Sequence, residues 1–147
     1  EKADKMLAKI RQTYVIEEDR RVEEVLSHLG NEELKQRPWV HGEGADLYRL
    51  LATTKYLKTF EAVDSTGLAG AVLGVELPQV FLAETMVTLQ PNASKAALCF
   101  LVKHYAASGY QLIDVQSRHE KDHPSARLFE ETISLTTYLD LLKEAVI

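Results

Sequence analysis

Asp114 and Gln116 stand two residues apart in the run LIDVQ, which reads as a short buried strand. Strand side chains alternate faces, so Leu112, Asp114 and Gln116 point to one side and Ile113 and Val115 to the other. A carboxylate and a carboxamide on one side of a core strand bring a proton acceptor and a hydrogen-bonding amide to a common surface. The pair also suits a structural post, with Asp114 capping a neighbouring helix and Gln116 satisfying loop backbone. A third polar group, Glu84, lies in the strand-like run QVFLAETMVT. Alternation there puts Leu82, Glu84 and Met86 on one face and Phe81 and Ala83 on the other.

Other chemistries fare less well. His119 and His123 are four apart, a spacing that would suit a metal on one helical face, but Pro124 and the intervening Glu-Lys-Asp favour a loop. No third ligand accompanies them, so no metal is expected. Ser94 or Ser125 with a histidine lacks a nucleophile elbow. Cys99 sits in an apolar helical pattern, as a buried inert thiol does.

The elements that must position these groups can be read along the chain. Residues 3 to 11 fit a helix with Lys2, Lys5 and Lys9 along one side, a solvated face ahead of an RNA-facing edge. TYVI (13 to 16) reads as a strand, and 18 to 29 as a helix through Val22, Val25, Leu26 and Leu29, stopped by Gly30. A polar connector with Pro38 leads to Trp39 and Val40. A second helix follows from about Glu43 to Lys55, with Leu47, Leu50 and Leu51 on its inner side. LKTFEAVD and LAGAVLGVEL flank the turn DSTG and, with QVFLAETMVT, predict an antiparallel meander. Asn92 is the expected N-cap of ASKAALCFLVKHYAAS, which is apolar on most sides and is ended by Gly109. YQLIDVQ is the next strand, Asp122 and Pro124 open a short helix, and 134 to 146 close the chain as an amphipathic helix through Leu135, Tyr138, Leu139, Leu142 and Val146.

At 147 residues the chain is sized for a single α+β domain, 1–147, and its 46% hydrophobic content supports a core. The longest apolar run, AALCFLV, is bounded by Lys95 and Lys103, too short for a membrane span. The charged start EKADKMLAKIRQ lacks a signal peptide's apolar centre, and with no initiator Met the chain reads as a piece of a longer protein. A lone cysteine excludes an internal disulfide and suits a cytoplasmic address. The net charge of −5 argues against broad DNA or RNA backbone binding, leaves room for a grip on one RNA end, and favours cationic substrates.

Antiparallel strands, a buried helix and a further strand resemble the plan of the GNAT acyltransferase fold. In that plan a glycine-rich loop at the helix start receives the pyrophosphate of acetyl-CoA. Here that loop is LQPNASK, without glycine, so acetyl-CoA binding is disfavoured.

A closer resemblance runs through the same segment. LAETM, NASKAAL, LIDVQ and DH are similar to the GESM, NASK, LIDCQ and NDH of the leucyl/phenylalanyl-tRNA–protein transferase family. Upstream, RPWV resembles the family's TWI, and KYLKTFE with LAGAVLGV resembles its GYAHSVE and LVGGLYGV. RQTYVIEEDRRVEEVL is similar to the start of its larger, GNAT-like domain, so the resemblance covers nearly the whole chain.

The resemblance implies transfer of an amino acid from aminoacyl-tRNA to the N-terminal Arg or Lys of a protein, marking it for degradation. Aminoacyl-tRNA is then a co-substrate and no cofactor is implied. The attacking α-amine has an ordinary pKa of about 7.7–8.0, so positioning and modest proton management suffice against an activated ester. Gln116 would hydrogen-bond the amine or ester centre, Asp114 would orient it or take up the proton, and Glu84 would hold the basic N-terminal residue. Phe81, Met86, Leu98, Leu101 and Tyr105 would form or adjoin the apolar pocket for the donor amino acid, and Trp39 would stack on the terminal adenosine. Each of these apolar residues is equally typical of core packing.

Departures from the pattern bear on the donor end. The family's small N-terminal domain, with its GxFPW-type segment, is absent. Leu73 replaces a tyrosine, Val87-Thr88 replaces Phe-Ser, and Pro124 to Leu128 replace a glycine-containing turn. The alternative reading is a GNAT-like domain without catalysis that binds basic N-termini.

Overall fold

A computed structural model of the chain describes residues 5, 8, 10, 13–30, 43–115 and 135–146. Five strands form one sheet in the order β1-β2-β3-β4-β5. They are β1 (Val15–Glu18), β2 (Leu57–Asp64), β3 (Gly67–Leu77), β4 (Val80–Thr88) and β5 (Leu112–Asp114). All neighbours are antiparallel except β4 and β5, which run parallel. The helices are α1 (Val22–Ser27), α2 (Glu43–Leu51), α3 (Ala93–Ala107) and α4 (Leu135–Val146).

The β2–β3–β4 meander follows from its turns. The Asp64 side chain accepts hydrogen bonds from the Thr66 N–H (2.8 Å) and hydroxyl (2.6 Å), and Gly67 takes the φ of +114° that closes the loop. One sheet face packs on α3, where Phe60, Ala62, Val72, Phe81 and Ala83 meet Ala96, Ala97, Leu98, Leu101 and Tyr105. The other face gathers Leu57, Leu68, Ala71, Leu73 and Val87 against Val25 and Leu26 of α1, Leu29, and Tyr48 of α2. Gly109, at φ +76°, ends the α3 region as expected, with the Tyr110 N–H bonded to the Tyr105 carbonyl at 3.0 Å.

Several local expectations are corrected. Glu17 and Glu18 extend β1 opposite Glu61 and Phe60, so α1 starts only at Val22 and ends in a 3-10 turn, His28–Gly30. Asp19, at φ 51°, breaks the segment and is pinned because its carboxylate accepts the Thr59 N–H at 2.8 Å. On α2, Leu47 and Leu50 are exposed, and Tyr48 is the residue that turns inward. That helix stops at Leu51 because the Thr53 and Thr54 hydroxyls take the carbonyls of Leu50 and Leu51. Asn92 occupies the N-cap position of α3 at φ 64° but makes no side-chain capping bond. On α4, Ala145 is buried while Leu139 is exposed. Residues 5, 8 and 10 are helical, as the lysine spacing predicted. The connector with Pro38 and the short helix after Asp122 lie outside the described residues.

Candidate active site

β5 is shorter than YQLIDVQ implied, and its pairing with β4 covers three rungs: Val80–Leu112, Phe81–Ile113 and Leu82–Asp114. Ile113 and Val115 pack against the α3 cluster, so Asp114 turns to the opposite face together with Leu82. Just beyond, β4 carries a bulge. Ala83 pairs with Gly74 and Thr85 with Leu73, which leaves Glu84 as the extra residue. The Glu84 carboxylate meets the hydroxyl of Tyr48, on α2, at 3.5 Å. Glu84 and Asp114 therefore come from adjacent strands onto one sheet face, both half-buried, where the β4–β5 ladder ends.

The bulge overturns the simple alternation for Met86. Met86 packs with the α3 cluster, on the side of Phe81 and Ala83, rather than with Leu82 and Glu84. Phe81, Leu98, Leu101 and Tyr105 are brought together as fully buried core on that side. Phe81 and Tyr105 stack at 4.7 Å between ring centroids, and the Tyr105 hydroxyl donates to Glu76 at 2.5 Å. Burial and the Glu76 carboxylate together push the Tyr105 phenol far above its ordinary range. Of this apolar set, Met86 alone is half-buried rather than buried. Gln116, Trp39, His119 and His123 lie outside the described residues.

Sequence reasoning missed a polar layer on the Glu84 face. Glu61 has no exposed surface, and one oxygen of its carboxyl accepts the Thr59 hydroxyl (2.6 Å) and the Arg21 N–H (3.0 Å). Among the described residues its second oxygen has no partner, and burial raises its pKa against the hydrogen bonds it accepts. Thr85, beside Glu84, is also buried with its hydroxyl unpartnered. Thr59 and Glu61 alternate with Phe60 and Ala62, a pattern that reads as a solvent face until α1 is seen to cover it.

A hollow of about 1100 Å³ opens over Ile16–Glu24, at the opposite sheet edge from β5. Arg21 engages Glu17 and Glu24 there, and Lys58 engages Glu18 and Asp19. Among the described residues no His, Cys, Asp or Glu cluster could hold a metal. Cys99 is buried, and burial pushes its thiol up to about 11, which removes it as a nucleophile.

The start of α3, where the GNAT plan places the pyrophosphate of acetyl-CoA, is closely packed. The Ala93 N–H already bonds the Gln90 carbonyl at 3.2 Å, and the Pro91 carbonyl is held by the Tyr14 hydroxyl at 2.7 Å. The Ser94 hydroxyl is engaged with that of Thr88 at 2.6 Å. β3 presses so closely that a Cβ on Gly70 would lie 2.8 Å from the Ser94 nitrogen.

Residues 2–143 match the sequence pattern of the leucyl/phenylalanyl-tRNA protein transferase family. The chain belongs to this family. A leucyl/phenylalanyl-tRNA–protein transferase of Syntrophotalea carbinolica is 37% identical over 110 residues, 72% of this chain and 48% of that protein. One of Vibrio atlanticus is 27% identical over 131 residues, 89% of this chain and 56% of that protein. The chain thus spans about half the length of these family members.

Solved structures place the family member among acetyltransferase folds. An aminoglycoside acetyltransferase from an uncultured soil metagenomic sample, in complex with sisomicin, superposes with a TM-score of 0.59 at 14% identity. It covers 85% of this chain and 95% of its own. A ribosomal-protein-alanine N-acetyltransferase from Brucella melitensis gives 0.54 at 12% identity, covering 79% of this chain and 86% of its own. The α+β, GNAT-like fold expected from the strand plan is the fold of this chain. Among the described residues no helix is long and apolar enough to cross a membrane.

Proposed function

We propose that this chain, as a single GNAT-like domain over 1–147, carries the catalytic part of an aminoacyltransferase. It moves a Leu- or Phe-like amino acid from aminoacyl-tRNA to the N-terminal Arg or Lys of a protein, in the cytoplasm where charged tRNA is found. Family membership supports the reaction class. The observation that carries the reading is the arrival of Glu84 and Asp114 on one sheet face at the end of the β4–β5 ladder.

The reaction is aminolysis of an ester. The neutral α-amine of the acceptor attacks the ester carbonyl, the new C–N bond forms and the C–O bond to the terminal ribose breaks. The amine gives up a proton and the ribose oxygen gains one. Asp114 orients the amine or takes up its proton, and Gln116 hydrogen-bonds the amine or ester centre. Glu84 holds the cationic N-terminal residue. Met86, backed by Phe81, Leu98, Leu101 and Tyr105, faces the donor side chain, and Trp39 stacks on the terminal adenosine. No cofactor enters this scheme.

The test is transfer of labelled Leu or Phe from charged tRNA to an Arg-starting peptide, with Asp114→Asn and Gln116→Ala variants beside the wild-type protein. Transfer should fall by about 10²-fold in the Asp114 variant, the usual scale for one proton-handling group. Wild-type protein that retains the Arg peptide but transfers nothing from either charged tRNA would replace the enzyme with a binding module.

A further inference from the structure

Among the described residues Glu61 is the only carboxylate that is fully buried, and the proposed reaction makes no use of it. It lies on β2 opposite Glu17 of β1 and Ala71 of β3, on the face where Val25 and Leu26 of α1 close over the sheet. One of its oxygens is bonded by the Thr59 hydroxyl at 2.6 Å and the Arg21 N–H at 3.0 Å, and the other has no partner. No cation among the described residues answers it. The Arg21 guanidinium holds Glu17 and Glu24, each at 3.2 Å, and Lys58 holds Asp19 at 3.0 Å and Glu18 at 3.8 Å. Burial is the largest influence on the Glu61 proton and favours the neutral form. The like charge of Asp19 acts the same way, against the hydrogen bonds from Thr59, Arg21 and the Glu61 backbone.

The bond to Arg21 falls on the link from β1 to α1. Asp19 in that link takes a φ of 51°, a left-handed conformation that strains a non-glycine residue. Thr59 holds it there through two bonds, the Asp19 N–H to the Thr59 carbonyl at 3.0 Å and the Thr59 N–H to the Asp19 carboxylate at 2.8 Å. α1 has only six residues, too few to persist by itself, and Arg21 at its N-cap makes no side-chain capping bond. Glu61 is thus the anchor between a pinned turn and a short seated helix. The hollow of about 1100 Å³ over Ile16–Glu24 opens the same link to solvent.

We infer that Glu61 is a proton-controlled latch for α1: its neutral carboxyl holds the Arg21 backbone and keeps the helix seated, and its ionisation releases the link so that water reaches the second oxygen. A neutral carboxyl keeps its carbonyl oxygen on Thr59 and Arg21 and leaves the other oxygen dry at modest cost, whereas a carboxylate needs donors at both. The latch is therefore closed at acid pH and opens as pH rises through the raised pKa of Glu61. The opening is local, and the β2–β3–β4 meander stays paired.

The experiment is amide hydrogen exchange followed by NMR on the wild-type chain, Glu61→Gln and Thr59→Val, from about pH 4.5 to about pH 8, with intrinsic exchange rates divided out. In wild type the opening of the Arg21 and Val25 amides should rise by about tenfold over that range, the scale of one buried polar group left unpaired, while the amides of β3 do not change. Glu61→Gln keeps the acceptor without the charge and should abolish the rise. Thr59→Val takes a donor from the charged form and should enlarge it. A wild-type opening that does not rise with pH would overturn the inference. So would a rise that survives in Glu61→Gln, or one that β3 shares equally, since that belongs to global unfolding. Where Glu61→Gln does not fold, Thr59→Val decides, and a rise no larger than that of wild type overturns the latch.

Discussion

Asp114 lies opposite Leu82 on the last rung of the β4–β5 ladder, and Glu84 follows Leu82 by two residues on the same sheet face. The bulge at Glu84 then reverses the alternation, so the next outward position on the α3 side is Met86. Carboxylates and apolar residues of the candidate site thus lie on opposite faces of the sheet.

This geometry separates Met86 from Leu98. Leu98 is 1% exposed in the α3 core, so Leu98→Ala should cost about 2–5 kcal/mol in urea unfolding. Met86 is half-buried, and Met86→Ala should cost less than about 2 kcal/mol while changing the ratio of Leu to Phe transfer in a competition assay. An unchanged ratio would take Met86 out of the donor pocket.

Glu61 makes stability depend on pH in an unusual direction for a carboxylate. Its folded pKa is raised by burial, so its contribution is fully present below the unfolded pKa and is lost as pH rises through the folded pKa. Glu61→Gln keeps an acceptor for the Thr59 hydroxyl and the Arg21 N–H without the buried charge. The variant should match wild type near pH 4 and exceed it at higher pH, by on the order of 1 kcal/mol, the scale of one buried polar group. A loss that grows as pH rises would mean that the carboxylate's bonds outweigh its desolvation.

Gly70 admits no side chain. A Cβ there would sit 2.7 Å from the Ala93 Cβ, 2.8 Å from the Ser94 nitrogen and 2.9 Å from the Val87 carbonyl, and two of these three are backbone. Gly70→Ala should therefore lower stability by about 1–3 kcal/mol, as overpacking does, and displace the start of α3. A thermal midpoint equal to that of wild type would show that α3 is free to move from the sheet.

The parts of the fold that were legible in the sequence are those whose signals are local. DSTG marks the β2–β3 turn through Asp64 and Gly67, and Gly109 marks the end of the α3 region. Polar residues that face a covering element were not legible. Thr59 and Glu61 alternate as a solvent face would, and only the arrival of α1 makes them interior. Leu47 and Leu50 share a helical stripe, yet the sheet takes Tyr48, because an aromatic ring with a hydroxyl tip spans both the apolar cluster and Glu84. The bulge depends on pairing between strands, which strand periodicity cannot report. Asp114 and Glu84 stand out in the sequence because they interrupt apolar strands, and the face expected for Met86 was wrong because the period was carried through the bulge.

The strands of the sheet were not joined by equal means. β2, β3 and β4 meet through short turns, whereas β5 can add its three rungs only after the fifteen residues of α3 have been laid across the sheet. Contacts closed over longer stretches of chain form late and open early. Amide hydrogens of Leu112–Asp114 should therefore exchange with solvent sooner than those of Phe60, Val72 and Phe81. The seam that carries Asp114 is then more able to breathe than the meander it flanks.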